Sequence, residues 1–213
     1  DALDDSTYSL FQALAERKPL DPSSVLCDTG TAALSLMPAS VALATLDRQS
    51  ARLEGMGLVV KNALAKVQDQ FDYVLIDCPP LLGVLLINAL AACEHLVVPV
   101  QTEFLAIKGL ERMTHTLRMV MKARKSPLAY TVVPTMYDKR TRASIDSLQV
   151  LKQNHMKHLW NGVIPVDTKF REASRAGIPP AFFDPKSRGV QAYTKLLEEM
   201  LQGSLGVQHA AVG

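Results

Sequence analysis

The apolar positions of this chain recur with two different periods, and the alternation between them predicts helices interleaved with strands. Stretches in which apolar side chains return every three or four residues are typical of helices that pack by one face. Runs of consecutive β-branched and aromatic residues are typical of strands covered on both faces. The predicted helices span 6–18, 58–68, 84–93, 103–125, 143–156 and 187–202. The predicted strands span 34–37, 71–77, 96–100 and 130–133, with a further short apolar run at 160–164.

Strands that alternate with helices of this length predict an α/β fold with a doubly wound, mainly parallel sheet and helices on both faces. The run 71–77 (FDYVLID) has no polar alternation until its end, which predicts a parallel strand buried on both faces. The segment 203–213 contains no Asp, Glu, Lys or Arg and shows no helical periodicity, so we expect it to be a disordered tail.

The size of the chain favours one domain, which we place at 1–202. Its 213 residues are 48% hydrophobic and 21% charged, enough for one substantial core. No apolar run approaches 18 residues, so no membrane-spanning helix is predicted.

Cysteine and histidine usage argues against metal and disulfide scaffolds. Cys27, Cys78 and Cys93 are odd in number and form no C-x-x-C pair, which fits a reducing, cytoplasmic location. His155 and His158 lie three residues apart without a nearby Cys or carboxylate, a pattern more typical of a solvated helix face than of a metal site.

Charge is distributed unevenly along the chain. The formal net charge is +2, but residues 1–79 carry a net −5 and residues 80–213 a net +7. The basic part is compatible with a polyanionic partner, although solubilising surface gives the same pattern.

The end of run 71–77 carries the first candidate chemistry. Asp77 would lie at the carboxyl end of a buried parallel strand, where open α/β sheets bind ligands and where P-loop ATPases place a carboxylate that holds Mg²⁺. An acidic residue that caps a turn at a strand end is the alternative interpretation.

Several further segments, in a fixed order, turn this single feature into a family resemblance. They are Asp77-Cys78-Pro79-Pro80, Asn88-Ala89-Leu90, Leu96 to Gln101, Glu103-Phe104, Pro134 to Thr141, Ile164-Pro165, Arg171-Glu172-Ala173 and Phe183 to Gly189. Together they resemble the ParA/Soj/MinD family of deviant Walker P-loop ATPases, which segregate DNA or position cellular assemblies.

The resemblance implies ATP and Mg²⁺ bound in a homodimer that hydrolyses slowly. It assigns Asp77 as the catalytic carboxylate on the Mg²⁺ side, and Pro79 and Pro80 as the switch II loop that senses the γ-phosphate. It also implies an adenine slot, formed by Thr135, Met136, Pro165 and Asp167. For Met136 and Pro165, an ordinary core or turn position remains open, because apolar residues build adenine slots and cores alike.

In DNA-binding members, basic segments flank a surface that contacts duplex phosphates. The corresponding residues here are Lys169, Arg171, Arg175, Lys186 and Arg188. Partition ATPases often read Ile-Pro-Arg-Asn-Val-Arg where this chain has Val166 and Asp167 in place of the first Arg and the Asn, which weakens the expectation of nucleoid binding. That difference is similar to the ParA-like subgroup encoded beside chemotaxis genes. The expected partner is therefore ParB-like or chemotaxis-associated, at the nucleoid or the cell pole.

Membrane binding is not expected, because residues 203–213 contain no Lys or Arg for the amphipathic basic helix that MinD-type members use.

The 213 residues contain no G-x-x-x-x-G-K-[ST] phosphate-binding loop. The family places this loop ahead of the segments seen here, so we expect about 50 residues before Asp1, since a β-α-β unit alone takes ~30. The intact protein would then be an ATPase, and the present chain inactive, with the strand at 71–77 missing a neighbour. The alternative is a non-catalytic interaction module that binds no nucleotide.

Overall fold

A computed structural model describes residues 6–46, 55–79, 81–123 and 127–203. The chain forms two compact units, residues 1–94 and 95–213, and each is treated by itself below. The expected tail beyond Gly203 and the switch II residue Pro80 lie outside the described residues.

The first unit is built from short helices and one small hairpin. Its helices are α1 (Thr7–Ala15), α2 (Val59–Leu64) and α3 (Val84–Ala92). Its strands are β1 (Cys27–Asp28) and β2 (Ser35–Leu36), which pair antiparallel. Single 3-10 turns connect them at Pro22–Val25, Val41–Thr45, Met56–Leu58 and Gln68–Gln70.

The predictions for this unit hold best where a helix is amphipathic. α1 begins after Ser6, whose hydroxyl accepts a hydrogen bond from the Tyr8 amide, as predicted for an N-cap. Leu10 and Phe11 on its inner face are almost fully buried. The predicted strand at 34–37 forms as β2, and the predicted helix at 58–68 is regular only over α2.

The predicted buried strand at 71–77 is wrong for the chain as described. Residues 73–79 belong to no helix or strand, and Tyr73 and Leu75 are 73% and 94% exposed. The β1–β2 hairpin is the sheet seen within the described part of this unit, and neither strand pairs with the run. A strand needs a neighbour to satisfy its N–H and C=O groups, so strand-forming residues without one stay unpaired.

A buried asparagine joins two helical segments of this unit. Asn88 on α3 is 1% exposed and donates to the carbonyl oxygens of Met56, at 2.6 Å, and Val84, at 2.8 Å. Its side-chain oxygen accepts from the Val60 amide at 3.1 Å. The amide group therefore satisfies backbone groups at the start of α2 that the surrounding apolar side chains cannot.

The second unit contains a parallel strand pair. β3 (His95–Gln101) and β4 (Ala129–Thr135) pair in parallel from His95↔Ala129 to Gln101↔Thr135. The described part of this unit contains the helices α4 (Phe104–Ala123), α5 (Arg142–His155), α6 (Lys169–Ala176), α7 (Pro180–Phe183) and α8 (Arg188–Leu201). The predicted strands 96–100 and 130–133 and the helices at 103–125, 143–156 and 187–202 are confirmed to within a few residues, although residues 124–126 are not described. The predicted helix at 84–93 is confirmed as α3 of the first unit.

Helices cover both faces of the parallel pair, as predicted. Val132 packs with residues of α4 and α5, and the next residue, Val133, packs with Trp160, Ile164 and residues of α8. Successive strand residues point to opposite faces, so these two neighbours divide the core between two layers. The α/β class with a sheet covered on both sides is confirmed.

The apolar run 160–164 follows β4 without forming a regular strand. The Trp160 amide donates to the Val132 carbonyl at 2.9 Å, and the Ile164 amide donates to the Pro134 carbonyl at 2.8 Å. The run therefore lies along the second edge of β4, held by isolated bonds rather than by a continuous ladder.

No helix in the described ranges is long and apolar enough to cross a membrane.

We predict that Asn88→Ala loosens the contact between α2 and α3. The substitution leaves the Val60 amide and the Met56 carbonyl without their partner, at a cost of about 1–3 kcal/mol for each buried group. Amide hydrogen exchange of peptides covering 56–92, followed by mass spectrometry, should accelerate about 10-fold or more. Asn62→Ala, on the exposed side of α2, is the control and should leave exchange unchanged.

Candidate functional site

A cavity of about 260 Å³ opens at the carboxyl end of β4. Three chain segments form it: the loop after β4, the segment after Ile164 and the first residue of α8. Its lining residues are Tyr137, Asp138, Lys139, Arg140, Pro165, Val166 and Arg188. The carboxyl ends of parallel strands are where α/β sheets generally bind ligands, so this is the candidate site.

Backbone hydrogen bonds fix the two walls of the cavity relative to each other. The Tyr137 amide donates to the Ile164 carbonyl at 3.0 Å, and the Val166 amide donates to the Tyr137 carbonyl at 3.1 Å. These bonds form a parallel bridge between Tyr137 and Pro165. The spacing of the walls is thus set by main chain, which is less adaptable than side-chain packing.

The buried hydroxyl groups of Thr102 and Ser144 form hydrogen bonds with the loop after β4. The Thr102 amide donates to the Thr135 carbonyl, and the Thr102 hydroxyl donates to the Met136 carbonyl. Thr102 also contacts the hydroxyl of Ser144, which accepts a hydrogen bond from the Asp138 amide at 3.1 Å. Thr102 and Ser144 are both buried, so water does not compete for these bonds.

The same loop contains a non-glycine residue in the left-handed region. Met136 has φ 53°, a conformation that costs of the order of 1–3 kcal/mol for residues with a Cβ and that clusters at binding sites. The bonds at Thr102 and Tyr137, on either side, keep it there.

Asp138 and Arg140 form the charged part of the cavity. The Arg140 guanidinium donates to both carboxylate oxygens of Asp138, with Nε–Oδ1 at 2.9 Å and Nη2–Oδ2 at 2.7 Å. These bonds, together with the Arg140 amide and the charge of Arg188, lower the pKa of Asp138 to about 2. The carboxylate is therefore charged throughout the neutral range, and Arg188 adds a positive charge beside it.

Asp167 uses its carboxylate to bind two backbone amides. Its carboxylate accepts from the amides of Lys169, at 3.0 Å, and Gly189, at 2.8 Å. The Gly189 amide lowers the pKa of Asp167 most, with smaller contributions from Lys169, Ser187 and Arg188. Asp167 thereby ties the start of α8 to the segment that carries Pro165.

Gly189 makes this tie possible. A Cβ at that position would lie 2.6 Å from the Phe170 ring and 3.1 Å from the Asp167 Cβ. Only a residue without a side chain allows the backbone to approach Asp167 so closely.

Of the four predicted adenine-slot residues, one lines the cavity and the other three lie next to lining residues in the chain or on the adjoining strand. Pro165 lines the cavity, as the prediction requires. Thr135 is buried and Met136 is 45% exposed at the entrance of the same loop. Asp167 follows the wall but uses its carboxylate on backbone amides. The role of all four in binding adenine stays a prediction.

Asp77 and Pro79 lie in the first unit, on the exposed segment after Gln70. Mg²⁺ is usually held by one or two carboxylates together with water and substrate phosphates, so an exposed Asp77 fits as one ligand. Within the described part of the chain, no three His, Cys, Asp or Glu residues group closely enough to hold a metal ion by themselves.

The predicted DNA-binding residues lie on α6 and around the start of α8. Arg171 and Arg175 are one helical turn apart on α6 and are exposed, and so is Lys186. Lys169 is paired with Glu172 at 2.7 Å, which offsets part of its charge. Arg188 faces the cavity instead.

Sequence reasoning did not assign roles to Tyr137, Asp138, Lys139, Arg140 or Val166 as cavity residues. The available signal was the spacing of Asp138 and Arg140 directly after a predicted strand, within a segment that carried the family resemblance. Their convergence with Arg188 depends on how the chain returns 50 residues later, which spacing does not reveal.

Comparison with known proteins gives a consistent family. A family model described as an AAA domain matches residues 2–130. The chain is 36% identical to the sporulation initiation inhibitor protein Soj of Bacillus subtilis over 168 residues, covering 78% of this chain and 66% of that protein. It is 32% identical to the chromosome-partitioning ATPase Soj of Treponema pallidum over 180 residues, covering 84% and 71%.

The fold is also similar to that of a solved structure. The chain is similar, at 30% identity and a TM-score of 0.72, to a Mycobacterium smegmatis protein described as cobyrinic acid a,c-diamide synthase with a bound ATP analogue and magnesium. The match covers 89% of this chain and 70% of that one. The chain thus spans about two thirds of the length of these proteins.

We predict that Arg140→Ala raises the pKa of Asp138 from about 2 toward its ordinary value of 3.8. A depressed carboxyl pKa means that the ion pair favours the folded state above pH 4 and that this contribution is lost as the pH falls toward 2. Carboxyl-carbon NMR chemical shifts across an acid titration measure the change. Lys139→Ala removes a neighbouring charge while leaving the Arg140 bonds in place, and should not move the pKa comparably.

Proposed function

The chain belongs to the ParA/Soj family of P-loop ATPases. We propose that it is a partitioning-type ATPase and that the cavity at the end of β4 binds the adenine base of ATP. The observation that carries this proposal is the cavity itself, with walls fixed by main chain at the carboxyl end of a parallel strand. The magnesium and ATP analogue bound in the similar M. smegmatis protein support the ligand class.

The lining residues suit a nucleoside. Tyr137, Pro165 and Val166 offer apolar surface to the faces of a base. The Asp138–Arg140 pair keeps both charges satisfied, so neither is left unpaired against the apolar base. Arg188 adds a positive charge at the same cavity.

The family resemblance also implies roles for two residues of the first unit. Asp77 would hold Mg²⁺, and Pro79 would belong to the switch II loop that responds to the γ-phosphate. Mg²⁺ would neutralise charge on the phosphates during hydrolysis. Hydrolysis also needs a phosphate-binding loop, which the 213 residues do not contain, so base binding is what we propose for these residues by themselves. ATP-dependent homodimerisation and slow turnover are proposed for the protein in which that loop is present.

The names of the relatives and the sequence support two candidates for the partner of this chain. Proteins named for chromosome partitioning suggest a ParB-like partner and DNA, and the chemotaxis-associated partner expected from Val166 is the second candidate. A non-catalytic interaction module remains the competing function, and adenosine binding separates the two.

We predict that the 213-residue chain binds adenosine, ADP and ATP with affinities within a few-fold of one another. The base makes the contacts in the cavity, and the chain contributes no phosphate-binding loop that would favour ATP. Tyr137→Ala should weaken binding about 5- to 100-fold, the range typical of losing a stacked aromatic side chain. Isothermal titration calorimetry measures each affinity.

Tyr130→Ala is the matched control, because this tyrosine lies on β4, the strand that precedes Tyr137, but outside the cavity. It should leave adenosine affinity unchanged. If wild-type chain binds none of the three ligands, or if both tyrosine variants lose affinity equally, the adenine site is not at the end of β4.

The exposed basic residues of α6 support a proposal of non-specific DNA binding. Arg171 and Arg175 present adjacent guanidinium groups, and Lys186 follows in the turn before α8. Such groups bind duplex phosphates by releasing counterions, whatever the base sequence.

We predict that the double variant Arg171→Ala/Arg175→Ala weakens duplex binding and reduces the slope of log affinity against log salt by about 1 to 2. Fluorescence anisotropy across a salt series gives both values. Lys108→Ala, which removes one ion-paired lysine of α4, is the control for the loss of a positive charge elsewhere and should leave the slope unchanged. An unchanged slope in the double variant would remove α6 from the DNA surface.

A further inference from the structure

A second cavity, also of about 260 Å³, lies near the amino end of β4 in the second unit. Its lining residues are Thr114, Leu117, Arg118, Met121, Tyr130 and His155. α4 supplies four of them, β4 supplies Tyr130, and the last residue of α5 is His155. The proposed nucleotide site uses none of these residues, since it lies beyond the other end of the strand.

The chain segments that line this cavity carry mainly positive charge. The segments 112–135 and 147–160, which supply all its lining residues, contain no Asp or Glu. Their described residues include the following basic and titratable side chains: Arg112, His115, Arg118, Lys122, Lys152, His155, Lys157 and His158. The neighbouring acid on α4 is Glu111, which is paired with Lys108 at 2.8 Å. The charge of Glu111 acts on His155, but the basic side chains outnumber this carboxylate, so an anion that enters this region meets a net attraction.

Three hydrogen-bond donors converge on the cavity. The Nε of Arg118 donates to the Thr114 carbonyl at 3.3 Å, and in the described part of the chain its guanidinium forms no ion pair with a carboxylate. Burial raises the pKa of Tyr130, so its hydroxyl stays protonated and able to donate. Burial likewise lowers the pKa of His155, so a neutral ring with one N–H predominates at pH 7.

The position of the Tyr130 ring is fixed by stacking. His158 lies parallel to it, with ring centroids 3.9 Å apart and an interplanar angle of 16°. Leu117 and Met121 complete the lining with apolar surface. A small number of placed polar groups against apolar walls is the usual composition of a site for a small ligand.

We propose that this cavity binds the phosphate group of a small phosphomonoester through the Arg118 guanidinium, the Tyr130 hydroxyl and the His155 ring. A guanidinium matches two phosphate oxygens with parallel donors, and the hydroxyl and ring N–H serve the remaining acceptors. The volume accommodates a phosphate with a short organic group, whereas duplex DNA would meet only the surrounding lysines and arginines.

Phosphate binding is tested on the 213-residue chain by ¹H–¹⁵N NMR titration at constant ionic strength. The probes are inorganic phosphate and glycerol 3-phosphate, each compared with added sodium chloride. We expect saturable shifts at residues 118, 130 and 155, with little change at residues 137–140. Arg118→Gln should weaken the affinity about 10-fold or more, and Tyr130→Phe by a smaller factor.

Arg112→Gln is the matched control, because it removes an arginine of the same helix that does not line the cavity. Its affinity for phosphate should stay within about twofold of wild type, a range worth ~0.4 kcal/mol. Tyr137→Ala should also leave phosphate binding intact, so that failure of the adenine site and failure of this site are distinguishable. If Arg118→Gln does not fold, which its NMR spectrum shows, Tyr130→Phe carries the test.

Three results would overturn the proposal. The shifts could rise linearly with concentration without saturating, or Arg112→Gln and Arg118→Gln could weaken binding equally, which would indicate general charge attraction. Duplex DNA could shift these residues where both small phosphates leave them unmoved, which would make the surface a nucleic-acid contact instead.

Discussion

Main-chain hydrogen bonding along β4 is the interaction on which the candidate site depends. One edge of the strand pairs with β3, and the other holds the returning chain through the Trp160 and Ile164 amides. The same pairing continues past the strand at Tyr137 and Val166, where it becomes the two walls of the cavity. Without that second edge, Pro165 and the loop after β4 would have no fixed distance between them.

Side chains then stabilise what the backbone bonds position. Thr102 and Ser144 hold the loop from the buried side, and Asp167 ties the start of α8 to the opposite wall. Two carboxylates near one cavity thus have different tasks. Asp138 lines the site and forms an ion pair with Arg140. Asp167 instead accepts hydrogen bonds from the backbone amides of Lys169 and Gly189. Sequence alone identifies both as acidic residues near strand ends and does not reveal which one faces a ligand.

Helices and strands were predictable wherever local preference and final packing agree. Periodic apolar positions predicted α4, α5 and α8, and the runs at β3 and β4 predicted a parallel pair, because each of these elements buries the face that its pattern presents. The run 71–77 has a composition typical of a strand and forms no strand here, because a strand also needs a neighbour with which to pair. The sequence also could not predict that Arg188 and Asp138 line the same cavity, because this depends on the position of the start of α8 in the folded chain.

The central claim is that the end of β4 binds an adenine base, and a crystal structure of the chain soaked with adenosine tests it most directly. The account predicts electron density for the base between Tyr137 and Pro165, with the Asp138–Arg140 pair intact beside it. Density for adenosine elsewhere, or a cavity left empty at saturating adenosine, would contradict it.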